Sequence, residues 1–97
     1  MTIGYRLSEA ARKDLALTYR FTREKFGTAQ AETYVTELKL ALEIIADHPS
    51  IGPEHSEFTP PVRIHPHGEH VILYLAESPR PIIVRILPRR SDWRART

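Results

Sequence analysis

Apolar and polar positions along the chain change period several times, and each change marks an element. Ile3-Gly4-Tyr5-Arg6-Leu7-Ser8 places Ile3, Tyr5 and Leu7 on one side and Arg6 on the other. That period of two predicts a half-buried strand. Ser8 then offers an N-cap oxygen, and Glu9 adds negative charge where a helix is positive. Behind it Ala11, Leu15, Tyr19, Thr22 and Phe26 recur at helical spacing, and Gly27 supplies a stop. Thr28 is expected to cap a second helix with the stripe Ala31, Tyr34, Val35, Leu38, Leu42 and Ile45, widened by Leu40, Ala41 and Ile44. A stripe that wide predicts burial on more than one side. So short a break between the helices forces a tight antiparallel hairpin. Pro49, after His48, ends it.

Pro49 to Pro61 fits no period and is rich in proline, so it reads as a loop. Val62-Arg63-Ile64-His65 alternates as a strand, Pro66-His67-Gly68-Glu69 reads as a turn, and His70 to Ala76 is apolar on both faces, as in a central strand. After a turn at Ser78-Pro79-Arg80-Pro81, Ile82 to Leu87 forms the last strand, and Pro88 closes it because it cannot donate a ladder hydrogen bond. Short connections make the last three strands an antiparallel meander. The expected fold is α+β. An antiparallel sheet of about four strands, in the order strand, helix, helix, strand, strand, strand, carries the helical hairpin on one face. With 97 residues, the chain is expected to form a single domain spanning 1–97.

The apolar fraction, 41%, suffices for a core. There is no cysteine, which excludes disulfide scaffolds, thiolate metal sites and cysteine nucleophiles. The longest apolar run, around Val71 to Leu75, is far short of the roughly 20 residues that cross a bilayer. No signal-peptide pattern opens the chain, so no membrane association and a cytoplasmic address are expected. A formal charge of +2 permits a polyanionic partner without requiring one. Arginine dominates the basic residues, and Arg89, Arg90, Arg94 and Arg96 crowd the tail.

Pleat parity yields a candidate surface. If Val62 and Ile64 face the helices, Arg63 and His65 face away; Ile82, Val84 and Ile86 would likewise be covered, leaving Arg85 with Ile83 and Leu87. Arg6 joins that side. Arg6, Arg63, His65 and Arg85 on an apolar floor would suit a docked partner, although any wet sheet face carries such residues. His65, His67 and His70 have too few companions for a metal site, so neither metal nor cofactor is expected. No phosphate loop, nucleophile elbow or catalytic carboxylate pair is present. In the tail, Trp93 among arginines either plugs the sheet or anchors a partner.

The segments Tyr5-Arg6-Leu7-Ser8, Ala10-Ala11 with Asp14-Leu15, Phe26-Gly27 with Ala31 and Tyr34, His48-Pro49-x-x-Gly52, Gly68-Glu69-His70-Val71-Ile72-Leu73-Tyr74 and Ile83-Val84-Arg85-Ile86-Leu87 occur in that order. Over nearly the whole chain they resemble the ParE/RelE superfamily of toxins from bacterial type II toxin–antitoxin modules. RelE-like members are ribosome-dependent mRNA endonucleases that use a histidine or tyrosine near the C-terminus. ParE-like members inhibit DNA gyrase without cleaving RNA and are neutralised by a ParD-like antitoxin. After the last strand this chain reads Leu87-Pro88-Arg89-Arg90-Ser91-Asp92-Trp93, with no group to move a proton near neutral pH. The resemblance therefore implies the ParE branch: a gyrase inhibitor, not an enzyme, with no catalytic residue. An antitoxin would be held by Arg6, Arg63, His65 and Arg85, and the target by Arg89, Arg90 and Trp93. No sequence-specific nucleic-acid binding is expected. A RelE-like endonuclease or a non-toxic antitoxin-binding protein are the alternatives. Pro88 departs from the family, which usually has His there.

Overall fold

The computed structural model describes residues 4–77 and 79–96. Ile3 of the expected first strand and Ser78 of the expected turn lie outside them. The elements are β1 (Arg6–Leu7), α1 (Glu9–Phe26), α2 (Thr28–Asp47), β2 (Glu54–His55), β3 (Val62–His67), β4 (His70–Leu75), β5 (Ile82–Pro88) and a closing 3-10 turn (Trp93–Arg96). The class is α+β, as expected, but the sheet has five strands in the order β1-β5-β4-β3-β2. It is mixed, because β1 runs parallel to β5. The expected loop conceals β2, a two-residue edge strand paired with β3.

Local chemistry accounts for the boundaries. Ser8 Oγ accepts the Ala11 amide at 2.9 Å and donates to the Val84 carbonyl at 2.7 Å, so one hydroxyl caps α1 and ties it to β5. Gly27, at φ 95°, ends α1 and is also the N-cap position of α2; Thr28, expected as the cap, is instead the first helical residue. The turn between β3 and β4 is only Gly68-Glu69, with Gly68 at φ 55°. Pro66 and His67, expected in the turn, therefore belong to β3.

The core has two parts, one on each side of the sheet. Ala11, Leu15, Leu38, Ala41, Leu42 and Ile45 of the hairpin pack on Ile72, Tyr74, Ile83 and Ile86. On the other side Val62, Ile64, Val71, Leu73 and Leu87 form a second cluster, covered in part by Phe58, Leu75 and Trp93. Parity in β3 is thus the reverse of expectation. Arg63 and His65 lie opposite Tyr74 and Ile72 and share the helix side of the sheet. In β5, Arg85 and Leu87 fall on the second side as expected, but Ile83 turns to the helices. A bulge opposite Leu73 and Tyr74, which leaves Val84 unpaired, inverts the pleat there.

Candidate partner-binding site

The four residues expected to share one open face do not meet. Arg6 is exposed on β1, opposite Ile82. Arg63 turns inward, and its Nη1 donates to the Gly52 carbonyl at 2.7 Å. His65 is half-buried on the helix side; burial first, and His67 second, hold its imidazole below the ordinary pKa. Arg85 reaches round the edge of β5 to α1. Its Nε and Nη2 donate to the two oxygens of Asp14 at 2.8 and 3.0 Å, and Asp14 Oδ2 also accepts the Ile86 amide at 2.9 Å. Those hydrogen bonds, opposed by some burial, raise the Arg85 pKa further. Arg63 and Arg85 are fold elements in this geometry.

Gly52 explains the loop that holds Arg63. Its amide donates to the Tyr74 hydroxyl at 2.9 Å, and that hydroxyl donates to the Pro49 carbonyl at 2.7 Å. A Cβ at Gly52 would stand 2.8 Å from the Ile64 carbonyl oxygen, so a side chain there forces a shift. The His48-Pro49-x-x-Gly52 motif is therefore a clamp on a buried tyrosine.

Beyond the last strand, the Arg89 amide donates to the Glu69 carbonyl at 2.7 Å, and Ser91 folds back on Pro88. Trp93 packs, partly buried, on the second apolar cluster and so contacts its own sheet. The Arg94 guanidinium lies 4.6 Å from that ring and donates to Glu57 at 2.6 Å. Arg89 and Arg90 stay exposed. Among the described residues, no three histidine or acidic side chains converge on a metal-sized site.

A concave apolar surface lies elsewhere, in a groove of about 720 Å³ between α1 and the end of the β4–β5 ladder. Leu17, Phe21, Phe26, Leu87 and Pro88 give it apolar walls. Phe21 and Phe26 are 59% and 66% exposed, far more than core positions. Arg20, Lys25 and Arg90 stand at its margin, with Glu24 and Glu69. Sequence reasoning placed Phe26 in the core and missed this groove. The available signal was Leu17 and Phe21, two large apolar residues four apart and off the predicted core face.

Comparison with known proteins gives the family. Residues 5–93 match the family model described as the ParE toxin of the type II toxin–antitoxin system, parDE. The chain belongs to the ParE toxin family. It is 33% identical to Toxin ParE1 of Caulobacter vibrioides over 91 residues, covering 94% of each chain. To Toxin ParE1 of Mycobacterium tuberculosis it is 34% identical over 93 residues, 95% of each. A structure described as the chromosomal ParDE TA system from P. aeruginosa shares the fold, with TM-score 0.72 at 16% identity over 90% of this chain and 98% of that one. In this ParE chain, then, the loop clamp, the Asp14–Arg85 edge and the Gly68-Glu69 turn are the local physics behind the motif segments read from the sequence.

Proposed function

We propose that this ParE toxin acts by binding and not by catalysis: it inhibits DNA gyrase in the cytoplasm and is silenced by a ParD-like antitoxin. The observation that carries the reading is the exposed apolar groove along α1, a surface built to be covered. An antitoxin segment that folds on binding would cover it and the adjoining hairpin at the cost of its own ordering. Arg6 and His65 can contribute at the sheet margins, while Arg63 and Arg85 act through the fold that they hold. Arg89 and Arg90 are assigned to the target, displayed by a tail that Trp93 fixes to the sheet. Against RNA cleavage stands the chemistry of that tail, which offers arginine and tryptophan but no general base.

The test is induction of the chain alone in cells, with gyrase supercoiling and ribosome-bound mRNA assayed in parallel on the purified protein. Inhibited supercoiling with intact mRNA is expected, relieved by the protein encoded beside it. Ribosome-dependent cleavage that disappears in His65→Ala would replace this reading with the endonuclease one. No effect in either assay, with antitoxin still bound, would make the chain a non-toxic antitoxin partner.

A further inference from the structure

At the floor of the α1 groove, among apolar walls, lie the Thr18 hydroxyl and the His70 imidazole. The ring is held from behind, where its Nδ1 is 2.7 Å from the Tyr34 hydroxyl of α2. That hydroxyl already accepts the Glu69 amide at 3.2 Å. Its one hydrogen has two acceptors within reach, His70 Nδ1 at 2.7 Å and the His67 carbonyl at 3.4 Å; the short distance fits Tyr34 donating to Nδ1 and equally an Nδ1–H donating to Tyr34. We take the first arrangement, which makes Nδ1 an acceptor and puts the ring proton on Nε2. Nε2 faces Thr18 Oγ1 at 3.5 Å, the outer limit of a hydrogen bond. A donor with so weak a partner, at the base of an apolar groove, is available to a ligand.

The surroundings define that ligand. Burial is the main cause holding His70 below its ordinary pKa; His67 on β3 adds to it, while Glu69 in the β3–β4 turn and Asp14 on α1 oppose it. Tyr34 is the titratable group facing it from α2. At the margin Arg20, Lys25 and Arg90 outnumber Glu24 and Glu69, and Asp14 is already matched by Arg85. The groove is thus apolar in its walls, cationic in its balance and equipped with one oriented N–H.

We infer that His70 is the polar anchor of this groove, donating from Nε2 to a side-chain carboxylate of an acidic, amphipathic partner segment whose apolar residues rest on Leu17, Phe21 and Phe26. This rests on the antitoxin reading above and adds which residue selects the partner and by what chemistry. A carboxylate beside Nε2 favours the charged ring. The site can accept that charge: Nδ1–H then donates to Tyr34, whose own hydrogen turns to the His67 carbonyl. Binding therefore raises the pKa of His70 and tightens as pH falls through the pKa of the ring in the complex.

The test labels the histidines of the full chain with ¹⁵N and follows the ring nitrogens by NMR, alone and with the antitoxin encoded by the adjacent gene. Free protein should show the Nε2–H form, and His70 in the complex should titrate at higher pH. Two variants separate the ring's ends. In His70→Gln the amide nitrogen stands near Nε2, and affinity should stay within about threefold; in His70→Asn it stands near Nδ1, and affinity should fall by roughly tenfold or more, one charge-assisted hydrogen bond. Thermal unfolding of both controls for lost stability. An Nδ1–H form in the free protein, unmoved His70 signals in a complex that does form, or equal affinity of the two variants overturns this inference alone. Failure to form any complex overturns it together with the antitoxin reading.

Discussion

Replacing Asp14 with alanine should cost this fold about 3 kcal/mol, and the structure says where the loss arises. Asp14 is 9% exposed and accepts three hydrogen bonds, two from Arg85 and one from the Ile86 amide. The Ile86 amide is on the outer edge of β5 beneath α1. Without the carboxylate it becomes a buried, unpaired donor, at about 1–3 kcal/mol. Arg85 is 24% exposed and can rehydrate in part, so its loss is nearer 1–2 kcal/mol than the 3–5 kcal/mol of a fully buried broken pair. Domains of this size are stable by only about 5–15 kcal/mol, and each kcal/mol shifts Tm by roughly 4–8 °C. Asp14→Ala should therefore melt roughly 12–24 °C lower. Asp14→Asn keeps an acceptor for Ile86 and loses the charge, so it should cost about half as much. Urea unfolding followed by far-ultraviolet circular dichroism measures both. A loss below about 1 kcal/mol for Asp14→Ala, or equal losses for the two variants, would refute the claim that the carboxylate seals the strand edge. The same geometry predicts that Arg85→Glu, which sets two carboxylates together, damages folding itself.

Three further outcomes are expected. His70 and His65 are both held below the ordinary histidine pKa, chiefly by burial, so the folded chain binds fewer protons than the unfolded one below about pH 6.5. Stability should be full above that pH and decline as pH falls through the folded pKa values, and a flat urea midpoint between pH 7.5 and 5.5 would contradict this. Gly52→Ala should cost about 1–3 kcal/mol through contact with the Ile64 carbonyl and the Tyr74 hydroxyl, seen as a lower Tm with the fold retained. Trp93→Ala should cost about 1–3 kcal/mol, less than a fully buried tryptophan, and, under the proposed function, lower gyrase inhibition only as far as it frees the tail; an unchanged Tm would favour the role of target anchor.

The helical hairpin and the three-strand meander were legible because each depends on local periodicity and punctuation. Ser8, Gly27, Pro49 and Gly68 act within a few residues of themselves. The sheet faces were misread because parity needs an origin, and the origin was taken to be a single covered face. The structure covers both: the hairpin lies over β4 and β5, while Phe58 and Trp93 cover the apolar side of β3. A one-residue bulge at Val84 then inverts half of β5, with no mark in the sequence. Sequence pattern also cannot tell an apolar residue of the core from one of a binding groove. Phe26, Leu40 and Ile44 sat at helical spacing and are exposed. Asp14 and Arg85 were both in view, but they are 71 positions apart, and only the crossing of α1 over the edge of β5 joins them.

That crossing also limits how this fold can be covered by a partner. A sheet edge with free N–H and C=O groups invites an added strand. On β5 the inviting groups are already used: Ser8 takes the Ile83 and Val84 carbonyls, Asp14 takes the Ile86 amide, and Pro88 has no amide hydrogen. On the opposite edge β2 is two residues long, the Ile64 amide is taken by the Pro53 carbonyl, and the next outward position is Pro66. At these positions an added strand would have to break a bond that the fold already makes. Side-chain surface is the other route to recognition, and the α1 groove, with His70 in its lining, is a concave apolar part of it. Under the proposed function, an antitoxin segment that is helical, apolar on one face and acidic beside it is the expected occupant of that surface. Backbone dihedrals of the bound segment, read from NMR chemical shifts, decide the matter, and an extended segment on either sheet edge would show that the seals at Asp14 and Pro66 open.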